Sequence, residues 1–61
     1  MNERIMEIVK LLKKQEELQY DDSISDDMYY ILDEKISNEI ANNYLLEEIE
    51  KAQEIFEKEN K

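Results

Sequence analysis

The segment "IANNYLLEEI", Ile40 to Ile49, decides how many helices this chain has. Upstream, Met28, Ile31, Leu32, Ile36 and Ile40 repeat at helical spacing; downstream, Leu45, Ile49, Ala52 and Phe56 do the same at intervals of four, three and four. Run as one helix at 100° per residue, the two stripes sit about 140° apart and face different neighbours. Two readings follow. A turn at Asn42 and Asn43, where asparagine tolerates the left-handed conformation that closes one helix and can cap the next, gives a three-helix bundle. An unbroken helix of about 35 residues gives a long hairpin that must dimerise. Asparagine pairs are poor helix formers, so the break is preferred, between Ala41 and Asn43.

Outward from that point the rest of the chain is also helical. In "MNERIMEIVKLLKKQEELQ", Ile5, Ile8, Val9 and Leu12 gather on one face with Leu11 and Leu18 beside them. A second break falls between Tyr20 and Ile24. The expected fold is all-α, a small helical bundle of two to three helices over about 3–19, 25–41 and 44–59, in a single domain. Glycine and proline are both absent, which removes tight hairpins and phosphate-cradling loops. Sixty-one residues without cysteine bury too little surface to be robust alone, so completion by homodimerisation is expected.

The joint "QYDDSISDDMYY", Gln19 to Tyr30, carries the one functional signal. Its local chemistry has a structural reading: Ser25 as N-cap, Asp26 and Asp27 in the first turn against the helix dipole, and Asp21, Asp22 and Ser23 as turn formers. Ile24 before the cap is placed to staple onto Tyr29. The amount of charge exceeds that need. Residues 1–20 hold four acids and four bases, so the whole net charge of −9 belongs to residues 21–61, and from Asp21 to Glu34 there are six carboxylates and no base. Such a field repels nucleic acid and anionic membranes and steers basic partners inward. A DNA-binding protein is a natural candidate, because lysines and arginines that read phosphates also accept ordered carboxylates.

The expected partner-binding set is Asp21, Asp22, Asp26, Asp27, Tyr30, Asp33 and Glu34. Tyr30 is included because it points away from the apolar stripe of its helix; Leu46 and Ile55 likewise lie off theirs. The expected function is that of a small acidic regulatory protein that binds and modulates or inhibits another protein, of the antirepressor or DNA-mimic kind. The alternative is an assembly or chaperone-like helical module that pairs through its apolar stripes.

Chemistry is thinly provisioned. There is no histidine and no cysteine, which removes the usual general base and nucleophile and most zinc or haem ligation, and a helix-bundle di-iron centre cannot be built without histidine. Asp21, Ser23 and Ser25 alternate like calcium-loop ligands, but Asp26 stands where that loop needs glycine and Leu32 where it needs glutamate. Stacked glutamates such as Glu3 and Glu7, or Glu47, Glu50 and Glu54, read as salt-bridged surface beside Lys10 and Lys51. An enzyme, a cofactor and direct nucleic-acid binding are therefore not expected. Lys10, Lys13 and Lys14 are expected to be neutralised by Glu17 and the acidic stretch, within the bundle or across a dimer.

No apolar run is long enough to span a bilayer and no signal-peptide pattern opens the chain, so a cytoplasmic location is expected. The initial Met and the polar, lysine-terminated end read as a complete short reading frame. Ile, Asn, Lys and Tyr make up 24 of the 61 residues. Their A/T-rich codons point to a low-GC bacterium, or to one of its phages or plasmids.

Overall fold

The structure is a computed structural model and describes residues 3–59. It contains three helices, α1 (Glu3–Gln19), α2 (Asp26–Asn43) and α3 (Leu46–Glu59), and no strand among the described residues. No described helix is long and apolar enough to cross a membrane. The chain does break before α3, so the three-helix reading holds and the long hairpin does not.

α1 is the centre of the fold. Its Ile8 and Val9 are fully buried, and they meet Ile36 and Ile40 of α2 and Ala52 of α3. Ile5, Leu11, Leu12, Leu18, Tyr44, Ile49 and Ile55 close around this nucleus. α1 packs most extensively against α3, where Ala52 offers only a methyl group at the contact, and next against α2; α2 and α3 barely touch. The Cα envelope measures 35 × 28 × 14 Å. Its thin dimension, between Cα atoms, is that of two packed helix layers, and because α2 and α3 barely touch, part of their surface lies open.

The joints differ in chemistry. α1 ends in two tightened bonds, Tyr20 N–H to Glu17 C=O and Asp21 N–H to Leu18 C=O. α2 starts at a conventional cap: Ser25 is extended (φ −77, ψ 164) and its hydroxyl accepts from Met28 N–H at 3.2 Å. The α2–α3 joint corrects the expectation. Asn42 and Asn43 stay helical, no described residue has positive φ, and the chain leaves through Tyr44 in an extended conformation (φ −133, ψ 155). The break thus falls at Tyr44–Leu45, later than Ala41–Asn43. Side chains brace this end in place of a left-handed residue: Arg4 donates to the open Asn43 C=O at 2.8 Å, and the Asn43 amide folds back to donate to Glu39 C=O at 3.0 Å.

Two stripes are rotated from their expected lines. On α2 the buried line runs through Ile36 and Ile40 with Tyr29, Leu32 and Asp33 half-buried, while Met28 (45 %) and Ile31 (60 %) are exposed. On α3, Ile49 and Ala52 of the expected stripe do face the core, but Glu48 and Ile55 join them and Leu45 lies outside. Ile55 therefore packs against the core and is not an outward contact residue; Leu46, at 71 %, is exposed.

Candidate functional site

The six carboxylates among the seven residues singled out by charge and aromaticity divide into three sets. Asp21 accepts from both the backbone N–H (2.9 Å) and the hydroxyl of Ser23, and these bonds hold its carboxyl below the ordinary aspartate value. It is committed to the turn. Asp33 faces α1: Gln15 Nε2 donates to its Oδ1 at 3.3 Å and to Ser37 Oγ at 2.9 Å. That contact fixes the rotation of α2 and removes Asp33 from the acidic surface. Asp22, Asp26, Asp27 and Glu34 are exposed and make no side-chain hydrogen bond or ion pair with another described residue.

The exposed residues form two adjoining features. One is an open groove of about 460 Å³ between the end of α1 and the start of α2, walled by Asp21, Asp22, Asp26, Tyr29 and Tyr30 over Leu18 and Ile24. The other is the outward side of α2. Taking Ile36 and Ile40 as inward, Asp27, Tyr30, Ile31 and Glu34 fall within about 100° on the opposite side. Tyr30 is 69 % exposed, and its ring stands edge-on to that of Tyr29 at 5.6 Å and 72°. Structure thus brings Asp27, Tyr30 and Glu34 together on one helix face and adds Ile31, which the apolar stripe had placed inside.

A second polar centre was not legible in the sequence. Arg4 grips Glu48 with Nε to Oε2 at 2.8 Å and Nη2 to Oε1 at 3.2 Å, and lies 5.0 Å above the Tyr44 ring. Glu48 also accepts from Leu45 N–H at 2.9 Å, which makes it the reciprocal half of a capping box for α3. The Tyr44 hydroxyl donates to Glu7 at 2.9 Å. Glu7 is therefore a corner residue and not the ion-pair partner of Lys10. The bond to that carboxylate, helped by partial desolvation, raises the Tyr44 pKa above its ordinary value. A glutamate three residues after the cap position was visible, but Leu45 at the cap lacks the hydroxyl that marks the motif.

The basic cluster is also placed differently from expectation. Lys13 pairs with Glu59 at 2.8 Å, while Lys10 and Lys14 border a shallow depression with Glu7, Leu11, Glu39 and Tyr44. The acidic stretch is not what neutralises Lys13. Among the described residues, no three acidic side chains converge in a way that would hold a metal ion.

No protein-family model, curated protein or solved structure matches this chain. The functional reading rests on the geometry of the acidic end and the outward side of α2.

Proposed function

We propose that this chain is a small, non-catalytic regulatory protein of the cytoplasm that binds another protein through the acidic start of α2 and thereby modulates or inhibits it. The partner carries a basic surface, as a DNA-binding protein does. The observation that carries this reading is the coincidence, on the side of α2 turned away from α1, of exposed Tyr30 and Ile31 with Asp27 and Glu34, carboxylates that have no side-chain partner among the described residues. Unpaired carboxylates beside exposed aromatic and branched side chains suit a protein interface, where tyrosine is enriched and opposite charge guides encounter. The test is a photo-crosslinking residue at position 30, with position 53 on exposed α3 as control, followed by affinity measurements on the purified crosslinked partner. Affinity should fall as salt rises, and D22N/D26N/D27N/E34Q should bind at least tenfold more weakly. Unchanged affinity of that variant would sink the reading.

A second reading is favoured by Leu45 (67 %) and Leu46 (71 %), exposed side by side at the α2–α3 corner. They lie at the far end of α2 from Asp26, about 25 Å away by helix rise. Homodimerisation through this corner would keep the acidic ends of two copies apart and make the chain an assembly module. Sedimentation equilibrium decides it: L46D should convert a dimer to a monomer without loss of helicity, and a monomeric wild type removes the reading.

A further inference from the structure

We propose that the outward face of α2 is a docking site for a basic amphipathic helix of the partner protein. This rests on the protein-binding reading of α2 and specifies the occupant. The face alternates along the helix axis: an apolar pair at its middle turn, Tyr30 and Ile31 on either side of the mid-line, with a carboxylate on the mid-line one turn before and one turn after. Tyr30 and Ile31 are central, Met28 is beside them, and all three are exposed although they are large and apolar. Asp27 and Glu34 bracket them seven residues apart, which is two helical turns or about 10 Å. The complementary object has an apolar stripe with cations recurring at the same two-turn interval, and an amphipathic helix with lysine or arginine flanking its stripe has that repeat.

Other occupants fit worse for physical reasons. A nucleic acid or an anionic membrane surface meets like charge. A second copy of this face would set Asp27 and Glu34 against their own equivalents, within a chain whose net charge is −9. A flexible basic peptide without an apolar side satisfies the carboxylates but leaves Tyr30 and Ile31 uncovered. The site is also preorganised: α2 is anchored on α1 through Ile36, Ile40 and the Gln15 contacts, and the half-buried Tyr29 ring stands against the ring of Tyr30.

The experiment uses three fluorescent synthetic peptides with the full chain and reads anisotropy at low and high salt. One is a leucine–lysine helix with its leucines at i, i+3, i+4 and i+7; the second has the same residues scrambled so that no face is apolar; the third replaces lysine by glutamate. The leucine–lysine helix should bind saturably, and at least tenfold more tightly than the other two. Y30A/I31A, both positions exposed and outside the core, should weaken that binding about tenfold while circular dichroism stays unchanged. D27N/E34Q should flatten its salt dependence, and L46A at the far corner should bind like wild type. Equal binding of the scrambled peptide would overturn the helix-docking inference and leave the charge-led reading standing. Equal binding of the glutamate helix, or no binding of either basic peptide, would overturn both. Self-association through this face that strengthens with salt and competes with the peptide would reassign it to a second copy.

Discussion

At the scale of single residues, Glu48 carries more of this fold than any other charged side chain. It is buried while Arg4 is half exposed, and it ties the first turn of α1 to the cap of α3, while Arg4 itself carries the link on to the end of α2 at Asn43 C=O. E48A removes a capping acceptor and the part-buried ion pair to Arg4, so it should destabilise by about 1–2 kcal/mol in urea titration. K13A breaks a pair whose members are both about half exposed, and should cost under about 0.5 kcal/mol. A pH effect belongs to the same corner. Because the Tyr44 pKa is raised on folding, its contribution is fully present below the unfolded value near 10 and is lost as pH rises through the folded value. The urea midpoint of wild type should therefore approach that of Y44F above that range and exceed it at pH 8. A constant difference between the two from pH 8 to 11.5 would refute the coupling.

At the scale of elements, the reason a break was legible differs from the reason its position was not. The phase conflict between the Ile36–Ile40 line and the Ala52 line is local information, and together with the poor helix propensity of Asn42 and Asn43 it made an interruption the preferred reading over one long helix. Where the chain turns depends on Arg4, which reaches Asn43 C=O and Glu48 from about forty residues away, and no window of sequence contains that contact. Ile31 shows the same limit from the other side. Its spacing fits a core stripe, but α2 packs on α1 through Ile36 and Ile40 with Asp33 turned to Gln15, and that rotation leaves Ile31 outward. The N-cap at Ser25 was legible because capping is decided within four residues. Substitution at the joint reports the sign of this difference. A glycine at position 43 would stabilise a left-handed closure, but Asn43 is helical and its amide is bonded to Glu39 C=O, so N43G should destabilise by about 0.5–1 kcal/mol. A raised melting temperature for N43G would restore the left-handed turn. On α2 itself, I36A should cost about 2–4 kcal/mol while I31A costs well under about 1, because one side chain is buried and the other 60 % exposed.

At the scale of the whole molecule, charge and shape act together. Asp22, Asp26, Asp27 and Glu34 are unpaired among the described residues, toward one end of the molecule, so their mutual repulsion is opposed by solvent and not by a described cation. In the unfolded chain the same groups are farther apart on average, and screening relieves the folded state more. The melting temperature should rise by several degrees between low and 0.5 M salt, equally for sodium and potassium chloride, since general screening has no ion preference. D22N/E34Q, which leaves the first-turn aspartates and the Ser25 cap in place, should begin higher at low salt and respond less. If the variant keeps the full salt response, repulsion among these carboxylates is not what the salt relieves, and the acidic end costs the fold nothing. If the response shrinks as expected, the chain maintains unpaired charge against its own stability, which gives a physical basis for expecting a basic partner at that end.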